Sequence, residues 1–120
     1  MKNFSIKQRI QSFRYAFKGI AHVFTNEHNV WIHLIAALCV IIAGFYFHVD
    51  TTEWMMILFA IGLVISAELF NSSVEKLVDL ISPGQNEKAG LIKDIAAGAV
   101  LICAIASAVI GLIIFIPKIV

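Results

Sequence analysis

The chain has 120 residues, 60 % of them hydrophobic and only 14 % charged, with a formal net charge of +1. That length leaves room for one domain, and that hydropathy excludes an ordinary soluble globule in favour of membrane spans. No nucleic-acid partner is expected of so few charges.

Residues 1–24 form the first unit. Ile6, Ile10, Phe13, Phe17, Ile20 and Phe24 recur at alternating four- and three-residue steps, which predicts an amphipathic helix. Lys7, Arg14 and Lys18 cluster on one flank of the stripe and Arg9 lies on the other. Such a helix lies in the membrane interface, its cations at headgroup phosphates, and the plain reading is an anchor. Residues 1–29 contain no uninterrupted apolar region, so no cleavable signal peptide is expected. Thr25-Asn26-Glu27-His28-Asn29 then makes a polar break rich in capping residues. A glutamate at that position is commonly no more than a complement to the helix dipole.

Residues 30–48 predict the first span, about 28 Å long at 1.5 Å per residue. Trp31 and Tyr46 are interfacial anchors, and His33, near the entry end, reads as a hydrogen-bonded interface residue. His48-Val49-Asp50-Thr51-Thr52-Glu53 is an acidic turn. The second span runs over 54–81, where Ser82-Pro83-Gly84 stops it. Its length of about 42 Å exceeds the bilayer core, so its C-terminal part projects into water. A polar connection follows over 82–93, and the third span occupies 95–116. There Ala99, Cys103, Ser107 and Gly111 repeat every four residues, a stripe that lets helices approach closely. Cys39 and Cys103 lie in apolar runs without metal or redox spacing and read as small packing residues.

Charge sets the topology. Lys2, Lys7, Arg9, Arg14, Lys18, Lys76, Lys88 and Lys93 fall on one side of the spans and only Lys118 on the other. The positive-inside rule puts the N-terminus and the 76–93 region in the cytoplasm and the C-terminus outside.

Within this frame Glu68, Asn71, Glu75 and Asp79 stand three, four and four residues apart, so they share one face of the second span. Ionisable groups in a membrane helix mark functional sites by default. Glu27, Glu75 and Asp79 with Lys93 suit a magnesium–nucleotide, because magnesium takes one or two protein carboxylates plus phosphate oxygens and lysine offsets phosphate charge. Glu68, nearer the acyl region, suits a general base for an alcohol. Together they predict phosphorylation of a lipid hydroxyl, without any Walker or protein-kinase motif. A small transporter using Glu68 as a proton- or cation-coupling carboxylate is the alternative, and a purely structural membrane subunit is the third.

Glu68-Leu69-Phe70-Asn71-Ser72-Ser73-Val74-Glu75-Lys76-Leu77-Val78-Asp79, with Lys93-Asp94-Ile95-Ala96-Ala97-Gly98, resembles the signature of the bacterial diacylglycerol kinase/undecaprenol kinase family. Tyr15-Ala16-Phe17-Lys18-Gly19 and Asn26-Glu27 are similar too. The resemblance implies an all-α integral-membrane enzyme of the bacterial inner membrane: one interfacial helix, three spans, and a homotrimer whose subunits share active sites. It implies ATP as co-substrate with Mg2+, Glu68 as base, Asn71 orienting the site, and Glu27 and Glu75 as metal ligands. Tyr15, Asp79, Lys93 and Asp94 would join Glu27 and Glu75 in holding the nucleotide. Arg9, Lys18, His33, Glu68 and Ala97 would contact the lipid alcohol, undecaprenol or diacylglycerol. The chain departs from the pattern at Gln8, often arginine in the family, and at Gln85-Asn86, which replaces an aromatic–histidine pair. It also has His33 where enterobacterial diacylglycerol enzymes carry a glutamate, which points towards undecaprenol.

Overall fold

The structure is a computed structural model that describes residues 3–120; Lys2, the first of the expected cytoplasmic cations, lies outside them. All regular structure among the described residues is helical: α1 (Ile6–Asn26), α2 (His28–Tyr46), α3 (Thr51–Ile81) and α4 (Glu87–Ile119). Helices α2, α3 and α4 are each long and apolar enough to cross a membrane. Their outer faces leave Leu38, Ile42, Phe45, Phe59, Ile102 and Ile113 exposed, as suits surfaces facing hydrocarbon, where every backbone group is already bonded within its helix.

The helix ends differ from the sequence reading, each for a local reason. Between α1 and α2 the break narrows to one residue, Glu27, with extended backbone (φ −116°, ψ 124°). Thr25 and Asn26 stay helical, their side chains donating to the carbonyls of Ala21 and His22 at 2.8 Å. This back-bonding is the common mid-helix use of short polar residues. Glu27 is the N-cap of α2, where a negative charge complements the helix dipole, but its carboxylate makes no capping bond and is free for another partner.

Helix α2 ends at Tyr46, two residues before the expected limit. Val49 N–H donates to Gly44 O (3.1 Å) and His48 N–H to Phe45 O (3.4 Å), with His48 at φ 55°. That is a Schellman closure, with histidine where glycine is usual. The second half of the expected acidic turn, Thr51-Thr52-Glu53, is helix. Asp50 is the N-cap of α3, accepting from Glu53 N–H at 2.8 Å, while Glu53 Oε1 accepts from Asp50 N–H at 3.0 Å. This reciprocal capping box starts the helix at Thr51 rather than Trp54.

The largest difference is at α4, which begins at Glu87 instead of Ile95. Asn86 caps it by accepting from Lys88 N–H (2.9 Å) and Ala89 N–H (3.2 Å). The connection therefore spans only 82–86, and Lys93 and Asp94 sit inside the helix.

The most extensive packing is between α3 and α4. Ser107 of the small-residue stripe donates to Ala60 O across that interface at 3.3 Å. At the Schellman end, buried Val49, Ile57 and Ile114 gather Val40, Trp54, Ile61, Ile110 and Phe115 around them. Gly44 is required there: a Cβ would meet the Trp54 ring at 2.6 Å. This cluster fixes where the far end of α3 emerges.

Candidate functional site

Among the described residues, the buried polar side chains are Glu68, Asn71 and Ser72, all on two consecutive turns of α3. Burying such groups is costly unless they are bonded, and their partners come both from α3 itself and from elsewhere in the chain.

Glu68 is 7 % exposed. Its Oε1 lies 3.0 Å from Nε2 of His33, brought in by the second turn of α2. One turn on, Asn71 Nδ2 donates to Glu75 Oε1 at 3.4 Å, while Asn71 Oδ1 is buried without a partner.

Glu27 reaches α3 from the α1–α2 junction. Its Oε1 accepts from Ser72 Oγ at 2.5 Å and from Lys76 Nζ at 3.0 Å. The Ser72 hydroxyl and then the Lys76 ammonium hold the Glu27 carboxyl below its ordinary 4.5, outweighing partial desolvation. At the end of α3, Asp79 Oδ1 accepts from Lys93 Nζ of α4 at 2.5 Å.

Two grooves adjoin these groups. One of about 440 Å³ lies between α1 and α3 and is lined by Tyr15, Gly19, Val23, Ser72, Ser73 and Lys76. The other, about 620 Å³, is bounded by Asp79, Lys93 and the 82–86 connection with its cap Asn86. A polar stretch of helix flanked by two open grooves can take a polyanion on its lysines, while Glu68 stays buried against His33.

The expected site residues thus fall into two groups. Glu27, His33, Glu68, Asn71, Glu75, Asp79 and Lys93 meet along residues 68–79 of α3. Tyr15 borders the first groove, its hydroxyl accepting from Gln11 Nε2 at 3.1 Å. Arg9, Lys18 and Asp94 are exposed and take no side-chain hydrogen bond or ion pair among the described residues, and Ala97 is exposed on α4. Glu27 and Glu75 bond separate partners on α3, and no three acidic, histidine or cysteine side chains among the described residues form a metal cage.

Sequence reasoning missed Ser72 and Lys76. The signal was available, since Glu68, Ser72 and Lys76 are spaced by four and form a second stripe beside the first.

Residues 14–115 match the family described as prokaryotic diacylglycerol kinase. The chain is 43 % identical over 108 residues to undecaprenol kinase of Bacillus subtilis, covering 90 % of this chain and 88 % of that protein. It is 36 % identical over 107 residues to diacylglycerol kinase of Synechocystis, covering 88 % of this chain and 61 % of the relative. To diacylglycerol kinase of Escherichia coli K12 it is 28 % identical over 100 residues, covering 83 % and 82 %.

Proposed function

The chain belongs to the prokaryotic diacylglycerol kinase family and is a membrane lipid kinase; on that premise we propose that it transfers the γ-phosphoryl of ATP to undecaprenol at the cytoplasmic face of the inner membrane. One observation carries the reading: three separate segments send Glu27, His33 and Lys93 to the same polar stretch of α3. Support for this acceptor is the 43 % identity to an undecaprenol kinase, against 36 % and 28 % to two diacylglycerol kinases.

In this reading α1 lies in the interface with Ile6, Ile10, Phe13 and Phe17 among the acyl chains. Those four are exposed in the protomer, which supports such a surface. Glu68 takes the proton of the lipid hydroxyl, and Asn71 orients Glu75. Tyr15, Asp79, Lys93 and Asp94 hold the nucleotide, while Arg9, Lys18 and Ala97 meet the lipid, in a homotrimer whose neighbours complete each site.

Glu27 and Glu75 would hold Mg2+. The donor set fits: it is all oxygen, and the partnerless acceptor Asn71 Oδ1 beside Glu75 suits a cation. Held there, the ion would supply positive charge against the transferring phosphate. The Glu27 carboxyl, already held ionised by Ser72 and Lys76, needs no proton loss to serve.

One observation counts against the transporter reading. The groove between α2, α3 and α4 is apolar apart from His33 and Ser107.

The test is purified protein in lipid bilayers with radiolabelled ATP, magnesium and each alcohol in parallel. Undecaprenyl phosphate is the expected product. Labelling of neither alcohol overturns the kinase reading, and preferential labelling of diacylglycerol overturns the acceptor.

A further inference from the structure

We infer that His33 is a positioning residue for the base: its Nε2–H fixes Oε1 of Glu68 so that Oε2 faces the lipid hydroxyl. This rests on Glu68 being the base, as proposed above.

The geometry has three parts. First, Glu68 is buried, and a buried carboxylate requires a donor; among the described residues His33 is the donor that reaches it, at 3.0 Å. Second, the wall on the His33 side offers no substitute. His33 lines a groove of about 270 Å³ whose only other side-chain donor among the described residues is Ser107, and that hydroxyl is committed to Ala60 O at 3.3 Å. Third, Oε2 takes no hydrogen bond among the described residues, so its lone pairs remain available to an incoming group.

A carboxylate acceptor requires the proton on Nε2, whichever state Nδ1 is in. The two ends of the contact come from different helices, so the bond also fixes the rotation of α2 against α3 at this level. With Oε1 held, the step balances at Oε2. The hydroxyl O–H bond breaks and its proton passes to Oε2. The released electron pair forms the new O–P bond as the bond from phosphorus to the ADP oxygen breaks.

The sequence reading made His33 a lipid contact; a positioning role predicts a different kinetic signature. Removing a hydrogen bond to a charged group and loosening the base should lower kcat about 10- to 100-fold. KM for the lipid should stay within about twofold, because ground-state binding is untouched.

The experiment compares the parent with His33→Leu and His33→Gln in bilayers, with nitrogen NMR of isotope-labelled histidine as a readout that needs no turnover. The leucine variant should lose kcat, and His33→Gln, whose amide N–H can occupy the Nε2 position, should recover most of it. The His33 signal, identified by its loss in His33→Gln, should show a protonated Nε2 that shifts in Glu68→Gln. An unprotonated Nε2, or a signal unmoved by Glu68→Gln, overturns the proposal even if the leucine variant fails to fold. So does a leucine variant with parental kcat and raised lipid KM, which would return His33 to lipid binding. If the parent phosphorylates no alcohol while the NMR contact is present, the base assignment has failed and not the contact.

Discussion

The two ends of α3 use similar residues for opposite purposes. At the Thr51 end, Asp50 and Glu53 answer each other's backbone N–H groups, and Glu53 Oε2 also accepts from Lys118 Nζ at 2.7 Å. Every acid there has a partner that closes a turn or ties α3 to α4. At the Ile81 end, Glu27, Glu68 and Asp79 draw partners from other elements, and Asn71 keeps a buried oxygen unbonded. The first arrangement maximises helix termination and packing. The second holds polar groups in costly places without satisfying all of them, which is the pattern expected of a site rather than a joint. An acidic residue beside an apolar run is therefore not informative until its partner is known.

The largest effect expected is on the reaction. With Glu68 as base, Glu68→Gln should lower kcat about 100- to 10,000-fold while the melting temperature in detergent barely changes. A loss of folding instead would put Glu68 in the same class as Glu53.

At the opposite end the prediction inverts. Gly44→Ala forces a methyl against the Trp54 ring and should cost about 1–3 kcal/mol of stability, with turnover per folded molecule unchanged. Asp50→Ala removes the capping box and should cost about 1 kcal/mol, read as a lower denaturation midpoint. Lost catalysis in either variant, measured on the folded fraction, would blur the division between the ends.

Acid should act through Glu27. Its carboxyl titrates below the ordinary 4.5 because Ser72, then Lys76, favour the charged form. The stability this adds is complete above the unfolded-state value and is lost as pH falls through the folded one. Thermal melts should show a decline on acidification below about pH 4.5 that is shallower in Ser72→Ala and shallower still in Glu27→Gln. Identical acid limbs in all three proteins would remove Glu27 as the source. The smallest effect is at His48, whose φ of 55° is easier for glycine. There His48→Gly should change stability by less than about 1 kcal/mol, on the stabilising side.

Hydropathy made the three apolar helices legible, since lipid demands long uninterrupted runs, and helical spacing brought Glu68, Asn71, Glu75 and Asp79 onto one face. The helix ends were less legible because they depend on single bonds. Asn86, taken with Gln85 as part of a loop, starts α4 through two backbone N–H bonds. His48 ends α2 in a conformation that glycine would have advertised and histidine does not. The stripe of Ser72 and Lys76 was legible from its spacing, but not that Glu27 is what it meets: the two are far along the chain, and the packing of α1 and α2 on α3 makes that pairing.

The one-residue joint at Glu27 has a mechanical side. Helix α1 is 21 residues long, so it is a lever of about 31 Å. A swing of roughly 10° about the Glu27 backbone carries its tip about 5 Å. The same residue is moored to α3 through Ser72 and Lys76. The residue from which the N-terminal arm departs is thus also the one that anchors the joint to α3, so the mooring and the arm's direction share a single point.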